Sequence, residues 1–143
     1  MNINLQETTM AKEKFKLWYD EKEGVLRGEI YERFDVESLE RFYNEATKYT
    51  PEQQHYVVGW LYDEAQKMVG KEERKIAKEK GDLVHFKKMA LLGAKPVIRM
   101  VAQIVMSAQG RGKDFKFFDS EEEALAWIRE QKALDKKALA TQR

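Results

Sequence analysis

Apolar residues change their period three times between Lys88 and Ile128. Met89–Leu92 is a short apolar run and Gly93–Pro96 a turn. Val97–Ser107 then repeats apolar residues every three or four positions. Phe115–Phe118 is a second short run, and Ser120–Ile128 a second helical pattern. Short apolar strands alternating with amphipathic helices predict parallel strands joined by crossover helices.

The first half extends this pattern. Lys14–Tyr19 begins with strict alternation, so Phe15 and Leu17 share one strand face. Asp20–Gly24 has turn chemistry, and Val25–Tyr31 is a second strand. The pair predicts an antiparallel hairpin at the sheet edge. Asp35 is placed to cap a helix, with Ser38 at the third helical position. Val36, Leu39, Phe42, Tyr43 and Ala46 carry that helix to about Tyr49, and Thr50-Pro51 ends it. His55–Leu61 is nearly continuous and apolar, as a central strand should be. Gly59 within it suggests a close approach to the backbone. Tyr62–Gly70 reads as a loop or a loose helical turn. Lys71–Lys80 is a charged helix stopped by Gly81-Asp82.

Five features complete the carboxyl-terminal reading. Pro96 suits the first position of a helix, because its missing N–H had no partner there. Val97, Ile98, Val101, Ala102, Ile104 and Val105 make that helix apolar around much of its girth. It is expected to be well buried or covered by another chain. Gln109–Lys113 reads as a flexible basic loop. Ser120 and Glu123 have the spacing of a capping box for the last helix. Gln131–Arg143 has little apolar content and is expected to fray. The division is an arm at 1–13, one domain at 14–131 and a helical extension or tail at 132–143.

Composition narrows the class. Of the 143 residues, 43% are hydrophobic and 36% charged, which suits one domain with a heavily solvated surface. No apolar run reaches the roughly 20 residues of a membrane span. No secretory signal is visible and cysteine is absent, which excludes thiol chemistry and makes the cytoplasm the expected location. Charge is uneven. Residues 1–66 hold 8 Lys/Arg against 14 Asp/Glu, whereas residues 67–113 hold 12 against 4. A basic middle attracts anionic partners unless it is balanced by the acidic first half.

No catalytic set emerges. His55 and His85 lie about thirty residues apart without a helix-spaced metal partner. No serine sits in a nucleophile elbow. Gly110-Arg-Gly-Lys113 lacks the full phosphate-loop pattern and precedes a strand instead of a helix. Basic residues are interleaved with Glu72, Glu73 and Glu79, which argues against nucleic acid. The aromatics Trp18, Tyr56, Trp60, Tyr62, Phe117 and Trp127 are expected in the core. In an open parallel sheet, ligands settle at the carboxyl ends of the strands. The turn after Leu92 lies there, flanked by Lys95 and Arg99 and near Lys71 and Arg74, and it could hold an anion or an acidic partner.

Met89-Ala-Leu-Leu-Gly93, Ile98-Arg-Met100 and Lys116-Phe-Phe-Asp-Ser-Glu-Glu-Glu-Ala-Leu-Ala-Trp-Ile128 resemble the SpoIIAA-like family. Glu73-Arg74-Lys75 fits as well. This family is related to the STAS domain, and its fold is similar to that of CRAL-TRIO lipid carriers. The resemblance implies an α/β fold: a mixed sheet of four to five strands, opening with an antiparallel hairpin and continuing with parallel strands and crossover helices. The family's namesake binds a partner kinase and is switched by phosphorylation of a serine after the central strand. Here Tyr62–Gly70 occupies that position, and no serine or threonine occurs from Pro51 to Met106. The switch therefore does not carry over.

The reading is a non-enzymatic cytoplasmic binding or regulatory module that recognises a protein partner, with no metal or cofactor. Its partner surface is expected at Asp63–Lys75 and Gly93–Arg99, through Asp63, Lys71, Arg74, Lys75, Lys95 and Arg99. The alternative is a carrier or sensor of a small apolar or lipid-like ligand. The apolar girth of Val97–Val105 also suits a homodimer.

Overall fold

The alternation at the start of the chain produces the expected hairpin. In the computed structural model, which describes residues 13–67 and 70–141, β1 (Phe15–Asp20) pairs antiparallel with β2 (Val25–Ile30). Residues 1–12 of the expected arm lie outside the described residues. Gly24 closes the hairpin at φ +67°. The Asp20 carboxylate accepts from the Glu23 N–H at 3.1 Å and from Arg27 Nε at 3.0 Å.

Three parallel strands follow: β3 (Tyr56–Leu61), β4 (Lys88–Leu92) and β5 (Phe115–Phe118). The five form one sheet in chain order, parallel from β2 onward, with β1 at one edge and β5 at the other. This is the mixed α/β architecture expected from the sequence.

The helices are α1 (Val36–Ala46), α2 (Pro51–Gln54), α3 (Lys71–Lys80), α4 (Pro96–Ala108) and α5 (Glu121–Thr141). Asp35 caps α1 in a reciprocal box with Ser38. α1 stops at Ala46, short of the expected Tyr49, and Thr50-Pro51 instead starts α2, because Thr50 caps it through Gln53 and proline fits its first turn. The segment after β3 is a 3₁₀ turn at Asp63–Gln66.

Strand pleating separates two faces. Val25, Val58, Ala90 and Leu92 point to one side, where Ala124 and Ile128 of α5 complete the core. Phe15 points to the other side and meets Phe42 of α1 at 5.3 Å. There α1 packs on α3. Arg99 of α4 lies over the ring of Phe117, which is on this second face too. Gly59 carries no side chain because Leu91 leans over it; a Cβ would stand 3.0 Å from Leu91 Cδ2.

The chain departs from expectation in three places. α4 has no buried residue, and Val97, Met100, Val101, Ile104 and Val105 are exposed. Its inward side is only Ile98, Arg99, Ala102 and Met106, and its outer side is not covered by any of the described residues. The loop after α4 is pinned: Arg111 donates to Asp114 at 2.7 Å and to the Phe86 carbonyl at 2.8 Å. The last helix continues past Ile128 as the helical extension and, instead of fraying, runs to Thr141. Polar ties hold its second half. Tyr56 donates to Asp135 at 2.5 Å, Lys132 Nζ to the Glu23 carbonyl at 2.5 Å, and Arg129 to Glu23 at 2.6 Å.

The cap of α1 provides a pH test. The Ser38 backbone N–H, then its hydroxyl, then the Lys14 ammonium hold the Asp35 carboxyl well below the usual carboxylate range. Its stabilisation is therefore present above the pH where the unfolded carboxyl ionises, near 4, and is lost as pH falls through the lower folded value. Asp35→Ala is expected to cost about 1 kcal/mol in urea unfolding at neutral pH. The gap to wild type should narrow in acid; a gap independent of pH would refute this account.

Candidate functional site

The carboxyl ends of β2, β3 and β4 converge on one surface. Tyr62 continues β3 and donates its N–H to the Ile30 carbonyl at 3.0 Å. That brings its ring 5.2 Å from Tyr31 and 6.3 Å from Trp60. Tyr31 donates its hydroxyl to Glu29 at 2.7 Å. Burial first, then the Glu29 carboxylate, push the Tyr31 hydroxyl up to about 12. Trp60 and Tyr62 are 37% and 41% exposed, against the expectation that both are core residues. α5 packs on this face mainly over β4, with lesser contact to β3 and β5.

Gly93 joins this patch to α4. Its φ is +83°, and a Cβ there would stand 2.5 Å from the Leu61 carbonyl and 3.2 Å from Trp60 Nε1. Only glycine permits so close a passage of the turn over β3.

Gln66 fastens the two turns together. Its amide nitrogen donates to the carbonyls of Gly93 at 2.8 Å and Leu61 at 3.2 Å. Its amide oxygen accepts the Lys95 N–H at 2.8 Å. One side chain thus satisfies backbone groups of both loops, and the 3₁₀ turn after β3 and the turn after β4 form one continuous surface. Lys95 Nζ then lies 3.9 Å from Asp63, whose side chain is 78% exposed.

The six expected contact residues divide into three sets. Asp63 and Lys95 come together. Lys71, Arg74 and Lys75 lie exposed on the first half of α3, beyond residues 68–69, which fall outside the described residues. Arg99 turns inward, donating to the Ala94 carbonyl at 2.9 Å and to Asp119 at 2.8 Å. It ties α4 to the end of β5. Sequence reasoning missed Gln66, because its partners lie 27 and 29 residues away and nothing local marks it. It also missed Tyr31.

The chemistry available here is recognition. Three carboxylates at the surface face a cation, whereas Glu29 accepts from Tyr31: Asp63 faces Lys95, Glu64 faces Lys67 at 2.7 Å, and Asp119 faces Arg99. The basic middle of the chain is likewise met in part from outside it, by these three and by Asp114, which pairs with both Lys88 and Arg111. Burial raises the Asp114 carboxyl, but hydrogen bonds from Arg111 and Lys88 outweigh it and leave it below its ordinary value.

A depression of about 420 Å³ lies at the opposite pole, by the amino ends of β4 and β5. Its volume would admit a small ligand. Its walls mix Lys87, Lys88, Arg111, Asp114 and Asp135 with Phe86, Ala138 and Leu139. Among the described residues, no helix is long and apolar enough to cross a membrane.

A family model described as SpoIIAA-like matches residues 24–129, most of the chain. The match spans β2 to the middle of α5 and takes in every residue of the surface above. It points to a STAS-type regulatory domain. No curated protein and no solved structure matches the chain.

Proposed function

Since the chain belongs to the SpoIIAA-like family, we propose that it is a non-enzymatic cytoplasmic binding module that recognises a protein partner at the carboxyl ends of its parallel strands. The observation that supports this most directly is the Gln66 clamp. It presents exposed Tyr62 and Trp60 beside the Asp63–Lys95 pair on a preorganised base. Tyrosine and tryptophan supply large contact area with few rotatable bonds, and they dominate the centres of protein interfaces. Lys71, Arg74 and Lys75 extend the surface with positive charge. Recognition here is constitutive, because the segment Tyr62–Gly70 offers no hydroxyl of serine or threonine for a phosphate.

The test places a photoreactive benzophenone side chain at Tyr62 in the source cell, with a control at Lys137 on the far end of α5. A protein cross-linked from position 62 and not from 137 is expected. Gln66→Ala should reduce its yield several-fold by freeing the two turns from each other. Equal yields from both positions, or none from position 62, would overturn the proposal.

A further inference from the structure

We propose that α4 is a homodimer interface, two copies packing their helices antiparallel about a two-fold axis. Five large apolar side chains line its outer side: Val97, Met100, Val101, Ile104 and Val105, each 48–64% exposed. Ala108 completes the stripe. Between Pro96 and Gln109 the only charged residue is Arg99, and it faces inward to Asp119. The stripe is therefore free of charge along its whole length.

Three observations select a second copy as the occupant. The stripe is its own complement: reversed end for end, 97 falls on 108, 100 on 105 and 101 on 104. An isologous contact therefore meets apolar residues at every level. Charge at the two ends also fits the reversed pairing. Asp119, with its side chain 84% exposed, lies at the amino-terminal end of α4. Exposed Lys113 lies beside the carboxyl-terminal half, next to Gly112, whose carbonyl accepts from Gln103 at 3.2 Å. The two-fold axis brings each lysine toward the partner copy's aspartate, with the helix dipoles opposed. Finally, covering the stripe on both copies removes on the order of 500 Å² of apolar surface. That is the apolar core of an interface near the floor of about 1,000 Å² for specific association, so the dimer is a weak, reversible one. This contact does not depend on the partner surface around Tyr62.

Sedimentation velocity of the full chain from about 5 to about 500 µM tests it. Wild type should pass from monomer to dimer over that range. Ile104→Glu, at an exposed site, should keep the wild-type circular dichroism and melting curve yet stay monomeric. The chain has no cysteine, so single replacements report geometry cleanly. A mixture of Val97→Cys and Ala108→Cys chains should form the mixed disulfide in preference to either self-linked species. A monomer at all concentrations, a dimer that survives Ile104→Glu, or preferential self-linking through position 97 would each overturn the proposal.

Discussion

Gly93→Ala is expected to destabilise the protein by about 2–4 kcal/mol, although the residue is exposed. Two costs combine. A left-handed backbone costs an alanine about 1 kcal/mol or more. The new Cβ would also stand 2.5 Å from the Leu61 carbonyl. That oxygen is backbone of the central strand and cannot swing aside as a side-chain tip can. Any shift that relieves it moves the group that accepts from Gln66 at 3.2 Å. The substitution should therefore loosen the turn after β3 as well. Urea unfolding gives the global cost, and hydrogen exchange should show extra loss of protection at 62–66 and 93–97. A variant within 0.5 kcal/mol of wild type would refute the close passage of the turn over β3.

Leu92→Ala, one residue earlier, should cost a similar 2–5 kcal/mol by a different route. Leu92 is 1% exposed and packs with Val58, Ala90, Ala124 and Ile128 between the sheet and α5. Truncation leaves a cavity that α5 can close only by shifting along its length, and Tyr56–Asp135 and Arg129–Glu23 resist that shift. The unfolding midpoint should fall while the denaturant slope stays the same. Loss of protection should be spread over the sheet and α5 instead of centring on the two turns. The neighbours thus separate strain at the surface from packing in the core. A cost below about 1 kcal/mol would mean that the site collapses freely and that α5 is held mainly by its polar ties.

The legible part of this fold is the local part. The Asp35–Ser38 cap, proline at the start of α4, the Ser120–Glu123 cap and the hairpin turn each act within about four residues. Chain position alone states them. Strand period and helix period were equally plain, so the order of elements and the mixed sheet could be read before any coordinate. The family likeness was readable for the same reason, because its motifs are contiguous.

The site was legible only in outline. The carboxyl ends of parallel strands, Asp63 and Lys95 were read from the sequence. The side chain that unites them was not. Gln66 gains its role from strand register, which sets the turn after β4 against the turn after β3 across 27 residues. The place of Arg99 beside the turn after Leu92 put it among the contact residues, whereas the end of β5 draws it inward.

The strands, the longer helices, their order, the caps and the lack of a hydroxyl switch are legible in the chain, because each depends on residues close together in it. Tertiary structure alone decided which faces are covered. α4 looked buried by composition, yet its thin inward side leaves its apolar stripe outside. α5 looked frayed by composition, yet bonds to Tyr56 and Glu23, 79 to 109 residues away, carry it to Thr141. Burial and long-range pairing follow from how layers stack, which no local pattern encodes.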